Sequence, residues 1–271
     1  MRALKASISH FWEVRQMYRM LCGDLRRLFS SKLFYLGLIF YAFLYTAINP
    51  FIMWIINMFI HQKPDFADME IKGQPGTAAI AIAVFVTAFV MKEFTDGAVR
   101  NKLSSGAKRI DIYFSSVLTM IVATIAIQAV SIVSLLISGN VFLAGFVTPL
   151  TDILQINVVY LIAAISLTIF DVTLVFIFAG NNASLFTAPF IAVAMKFVAM
   201  MVLEDLYPES GEVLISGTRL AVFGFIDKYI PYMHLIDFPR FNWSAYIIGG
   251  AVLSAVSLIL GIVIFEKKDL K

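Results

Sequence analysis

The stretch Lys92-Glu93-Phe94-Thr95-Asp96-Gly97-Ala98-Val99-Arg100-Asn101-Lys102-Leu103-Ser104-Ser105-Gly106-Ala107-Lys108-Arg109-Ile110-Asp111-Ile112-Tyr113 is a charged segment set between two long apolar runs. Its density of charge is incompatible with a position in hydrocarbon, so the segment is read as facing water. Lys92, Arg100, Lys102, Lys108 and Arg109 mark it as a cytoplasmic loop, because basic residues close to membrane spans are retained on that side. Gly97 and Gly106 punctuate it, and Val99 to Leu103 between them is a short helical candidate. Two readings follow. The segment is either an ordinary loop obeying the topology rule or the surface by which a membrane domain meets a soluble partner.

Working outward, the composition agrees with a membrane setting. Of 271 residues, 60% are hydrophobic and 14% charged, with a mean hydropathy of +0.87. Those values exclude a soluble domain and indicate an all-α, polytopic membrane protein. The apolar runs are continuous rather than alternating, which argues against a transmembrane β-barrel. The single cysteine, Cys22, excludes an internal disulfide, and the scattered His10, His61 and His234 give no zinc-like cluster. The formal net charge of +3 is attributed to inner loops rather than to a nucleic-acid partner.

Six runs have the length and character of spans: 33–60, 76–91, 112–137, 153–179, 186–203 and 244–265. The first exceeds the ~20 residues needed to cross the hydrocarbon, and Asn49-Pro50 offers a place for a break. Residues 1–32 do not read as a signal peptide. Ile8, Phe11, Trp12, Tyr18, Leu21, Leu25, Leu28 and Phe29 recur at helical spacing, with Arg15, Arg19, Arg26 and Arg27 opposite, so an amphipathic interfacial helix is expected. Residues 61–75 are expected to be a polar connection, 92–111 the inner loop, and 204–243 an outer loop carrying short interfacial helices. With both ends cytoplasmic, inner segments hold fifteen Lys and Arg and outer loops five, which favours that orientation.

The chain lacks the Gly-x-x-x-x-Gly-Lys-Ser/Thr run that cradles nucleotide phosphates; Ser105-Gly106-Ala107-Lys108-Arg109 is the nearest approach. No His-Glu-x-x-His site and no evident nucleophile-and-base set appears either, so no catalytic residue, metal site or ATPase site is assigned to the chain. Asp171 in the fourth span and Lys196 in the fifth are the two charges within spans. Their depths differ by roughly 7 Å at ~1.5 Å per residue, which a lysine stem can bridge. They are read as a buried ion pair or as the lining of a polar path. Gly249-Gly250 with Ala245 and Ala251 gives the sixth span a small-residue face suited to close packing.

The opening segment resembles the first intracellular loop of ABC-2 type permeases, the membrane subunits of one branch of ATP-binding cassette transporters. Glu93, Phe94, Gly97, Val99, Arg100, Gly106, Arg109, Ile112 and Tyr113 fit that loop's pattern, while Ala98 stands where Thr is common and Asp111 loosens the final match. The amphipathic helix before the first span and the ending Phe265-Glu266-Lys267-Lys268 are also similar to the family. The resemblance implies a cell-membrane subunit of bacterial type, with a coupling helix drawn from Glu93, Phe94, Gly97, Val99, Arg100, Asn101, Lys102, Gly106 and Arg109 docking on a separate cytoplasmic ATPase. ATP and Mg would be bound by that partner and not by this chain, and a second permease subunit, preferably an identical one, would complete the path. Export of an amphipathic peptide is the leading expectation. Drug, lipid-linked or ion-related efflux stands behind it, and a channel-like or scaffolding membrane protein outside the transporter class is the alternative.

Overall fold

The computed structural model describes residues 2–59, 66–143, 145–179, 183–208, 215–235 and 242–268. Among these residues the chain is helical throughout, and six helical stretches are long and apolar enough to cross a membrane. They are Lys32–Ile56, Gly73–Thr95, Arg109–Phe142, Leu150–Phe178, Ser184–Leu206 and Trp243–Lys267.

Helix α1 (Arg2–Ser30) precedes them. The first span consists of α2 (Lys32–Phe43), a π turn (Leu44–Ile48) and α3 (Asn49–Phe59). The break expected at Asn49-Pro50 is therefore a widened turn just before the proline rather than an interruption. In it the Asn49 N–H reaches back to the Leu44 carbonyl, a longer loop than an α-helix makes.

Residues 66–75, expected to be a polar connection, are already part of α4 (Phe66–Thr95), with Pro75 inside it. A proline in a helix removes the hydrogen bond to the carbonyl four residues back. Here that carbonyl, Ile71 O, accepts from the Tyr160 hydroxyl at 3.4 Å. A partner on another helix thus supplies the missing donor, and the helix runs on. The rest of the 61–75 connection, and the turn expected at Gly180-Asn181-Asn182, lie outside the described residues.

After α4 come a short α5 (Ala98–Ser104), α6 (Arg109–Ile137) with a π turn at Ser138–Phe142, α7 (Leu150–Phe178) and α8 (Ser184–Leu206). Helix α9 (Gly217–Tyr229) and a 3-10 turn (Met233–Leu235) lead to α10 (Trp243–Lys267). Helices α4, α6 and α7 form the centre and carry most of the buried residues. By contrast, much of the first span, α8 and α10 is exposed.

The centre is held by paired polar groups as well as by apolar packing. Thr124 and Thr168 hydroxyls meet at 2.6 Å, Gln128 Nε2 donates to Asn157 Oδ1 at 3.2 Å, and Gln74 Nε2 donates to the Ser131 carbonyl at 2.9 Å. Such side chains tie helices together where lipid offers no hydrophobic contrast. The small-residue face of α10 is used in part. Gly249 packs on the Tyr229 carbonyl and Gly250 on Ser166 Oγ, with Ala245 buried, whereas Ala251 is turned outward.

Candidate functional site

The segment after α4 reverses direction twice on glycine. Gly97 has φ +71° and Gly106 φ +87°, a region that side chains with a Cβ avoid. Between them lies α5, slightly longer than the Val99–Leu103 expected from sequence. A seven-residue helix has little stability of its own, so contacts must hold it.

Those contacts are on its inner side. Val99 is 1% exposed and joins the core cluster with Leu28, Phe89 and Tyr113. Lys102 Nζ donates to both carboxylate oxygens of Asp24 on α1, at 2.7 and 2.9 Å, and to Glu93 Oε2 at 3.2 Å. Glu93 Oε1 accepts from Arg27 Nη2 at 2.5 Å, and the Arg27 guanidinium lies 4.7 Å from the centroid of the Phe89 ring. The Ser115 hydroxyl completes the Asp24 shell at 2.6 Å. Two acidic and two basic side chains therefore close a neutral network joining α1, α4, α5 and α6, which is what makes burial of Asp24 and Glu93 sustainable.

The ends of the other helices meet at the same place. Phe94 stands edge-on to Phe176 with centroids 5.1 Å apart, Phe176 to Phe265 at 4.8 Å, and Tyr113 to Phe176 at 5.2 Å. Arg109 Nη1 donates to the Phe265 carbonyl at 2.7 Å and also to the Lys268 carbonyl, at the end of α10. Lys268 Nζ in turn donates to the Phe176 and Ile177 carbonyls, at 3.1 and 2.7 Å, at the end of α7. Each cation satisfies carbonyls that a helix leaves without partners and sits at the negative end of its dipole. Burial holds the Lys268 ammonium below its ordinary pKa.

The residues named from sequence thus divide. Glu93, Val99, Lys102 and Arg109 are turned into the protein, Phe94 is half-buried in the aromatic cluster, and Gly97 and Gly106 shape the turns. Arg100 and Asn101 are exposed, together with Lys92, Ser104 and Ser105. The segment lies at the same end of the bundle as Arg27 and Lys268.

Asp24 and Ser115 were not singled out by sequence reasoning, and Lys268 was named only within the basic ending. Asp24 carried a weak signal, as an acidic residue close to Arg26 and Arg27, but the reading of α1 as an interfacial helix with its arginines opposite the apolar residues concealed it. In the structure α1 presents Met20, Asp24 and Leu28 to the bundle, while Tyr18 and Phe29 of the expected apolar stripe are exposed.

Asp171 and Lys196 do not form the ion pair that their depths permit. Asp171 is 1% exposed and its Oδ1 has no hydrogen-bond partner, while Lys196 is half-buried and forms no ion pair with it. Depth alone omitted rotation about the helix. Ala188, Ala192 and Ala199 make the buried stripe of α8, and at 100° per residue Lys196 falls on the shoulder of that stripe opposite Met195.

Among the described residues no group of His, Cys, Asp and Glu is placed to hold a metal ion. No curated protein matches the chain. A family model described as "Protein of unknown function (DUF2705)" matches residues 75–271, more than half of the chain and inclusive of the whole segment from Lys92 to Tyr113. The chain belongs to the DUF2705 family.

Proposed function

We propose that this protein is the membrane subunit of an ATP-driven exporter of ABC-2 type, with α5 as the coupling helix that a separate cytoplasmic ATPase grips. The observation that carries the reading is the two-sided construction of α5. Its inner side is fixed by Val99 and by Lys102 in the Asp24–Glu93–Arg27 network, and its outer side offers Arg100 and Asn101. Force applied to the exposed face would pass through that network to α1 and α4 and through the aromatic cluster to α7 and α10. A lever of this kind needs rigid attachment on one side and an accessible grip on the other.

On this reading α1 is an elbow helix lying along the cytoplasmic surface, both chain ends are cytoplasmic, and α9 belongs to the outer side. The exposed flanks of the first span, α8 and α10 face lipid or a second copy of the chain. The cargo is an amphipathic molecule, for which a peptide is the leading candidate.

The test is purification from the native membrane in mild detergent. The wild-type chain should bring with it a protein carrying a nucleotide-binding P-loop, and ATPase activity should accompany the pair. Arg100→Glu combined with Asn101→Lys should abolish both while the chain itself remains folded. A wild-type chain that retains no ATPase in any mild detergent would place the protein outside the transporter class.

A further inference from the structure

A groove of ≈370 Å³ runs between α2 and α4, lined by the small residues Gly37, Ala81 and Ala88 and by the rings of Phe34, Phe40 and Phe85. Phe40 and Val84, both in its lining, are exposed, so the groove opens sideways, toward the surface that lipid would cover. Its two hydroxyl groups are engaged elsewhere. Tyr41 Oη meets Ser131 Oγ at 3.4 Å, and Thr77 Oγ1 donates to the Gly73 carbonyl at 3.2 Å. An occupant therefore meets apolar surface alone.

The length of the groove selects among occupants. Its lining runs from Leu33 to Leu44 on the first span and from Ala88 back to Thr77 on α4. Each stretch covers about 16 Å at ~1.5 Å per residue. That is about half of the ~30 Å hydrocarbon core, the depth of one leaflet. The chains of a lipid match that depth, whereas a helix from a second copy would cross the whole core. The end at Leu33 and Ala88 lies where α1 gives way to α2, with the Phe34 and Phe85 rings 5.7 Å apart, so the leaflet concerned is the one on the α5 side.

A cation stands at that edge. Lys92 is one turn beyond Ala88 and, at 100° per residue, projects between Phe85 and Ala88 on the groove's side of α4. Helical side chains lean toward the helix N-terminus, which for Lys92 is toward the groove. Lys92 is exposed and makes no ion pair among the described residues, even with Asp96 a turn further on. Acyl chains gain no hydrophobic contrast over the surrounding bilayer, so the headgroup decides which lipid stays, and a lysine at the membrane surface favours an anionic one.

We infer that the groove between α2 and α4 holds an acyl chain of one anionic glycerophospholipid from the α5-side leaflet, with Lys92 paired to its headgroup. The inference does not rest on the transporter reading, because the site lies wholly within this chain and lipid binding needs no ATPase.

The test is native mass spectrometry of the purified chain released from nanodiscs that contain equal amounts of phosphatidylglycerol and phosphatidylcholine with the same acyl chains. The wild type should retain phosphatidylglycerol over phosphatidylcholine by about fivefold, the effect of one lysine at a charged membrane surface. Lys92→Gln should keep a bound lipid but bring the two species close to parity. Lys228→Gln, which alters an exposed lysine at the opposite end of the bundle, should behave like the wild type. Gly37→Trp should lose both lipids, because a side chain at Gly37 projects into open space and would fill the groove. Retention of the two lipids at parity by the wild type would overturn the inference, as would the same preference in Lys92→Gln as in the wild type. Unchanged lipid retention in Gly37→Trp together with conversion of a dimer to a monomer would assign the groove to a second copy and overturn it as well.

Discussion

Lys102 on α5 and Asp24 on α1 are joined through both carboxylate oxygens, at 2.7 and 2.9 Å, across 78 residues of sequence. With Glu93 and Arg27 they form the joint by which the amphipathic helix and the short helix act as one piece. Removing one member of a buried charge cluster leaves the others uncompensated, at a cost of about 3 kcal/mol. Lys102→Met should therefore lower the thermal midpoint of the purified protein and raise hydrogen exchange over 16–30. Unchanged exchange in α1 would mean that the helix is held by other contacts.

The two glycine turns set where α5 points. At Gly97 and at Gly106 the position a Cβ would take has no atom within 4 Å beyond the adjoining residues, so substitution there is opposed by backbone conformation and not by crowding. Gly97→Asn, which tolerates positive φ, should be nearly silent, whereas Gly97→Val should cost ~1–2 kcal/mol and, on the proposed coupling role of α5, weaken stimulation of the partner ATPase. Equal ATPase stimulation by the two variants would show that the direction of α5 is immaterial.

The spans, the charged segment and its short helix were legible because each has a strong local signal: apolar length, clustered charge, and glycine at both turns. What sequence did not reveal depends on which side of a helix faces inward. Arg100 and Lys102 look alike in the loop's composition, yet one is exposed and the other half-buried against a carboxylate pair. Pro75 read as part of a connection because its compensation, the Tyr160 hydroxyl, comes from a residue 85 positions away. Asp171 and Lys196 matched in depth but not in rotation, which two numbers along a helix axis cannot convey.

Two glycines of α10 make a graded test of packing. A Cβ at Gly261 would lie 2.4 Å from the Tyr113 ring, and one at Gly249 would lie 2.0 Å from the Tyr229 carbonyl oxygen. Gly261→Ala should be destabilising, by about 1–3 kcal/mol for an overpacked core site. Gly249→Ala should be worse, since the obstacle is backbone and cannot rotate away. Comparing the yield of monodisperse protein after detergent extraction checks the order, and a better-behaved Gly249→Ala would contradict the placement of α9.

His234 introduces a pH dependence. It lies beside the Tyr246 ring, with centroids 4.2 Å apart, and its Nε2–H donates to the Lys228 carbonyl at 3.2 Å. Burial lowers its pKa from 6.5 to about 4, against the opposing pull of backbone carbonyls at Lys228 and Asp227. The folded state thus refuses a proton that the unfolded chain accepts below pH 6.5. Stability from this residue is complete above that pH and declines as pH falls toward 4, by an amount on the order of 3 kcal/mol. Unfolding midpoints at about pH 7.5 and about pH 5 should differ less in His234→Phe than in the wild type; an identical difference would show that other groups set it.

The most direct test of the coupling reading is photocrosslinking in native membranes from an unnatural residue placed in turn at Asn101, at Val99 and at Phe225. Asn101 should capture a cytoplasmic protein whose sequence contains a P-loop, with the product depending on nucleotide, while Val99, which is buried, and Phe225, at the opposite end of the bundle, should not. A P-loop protein captured from Phe225, or none captured from Asn101, would contradict the account.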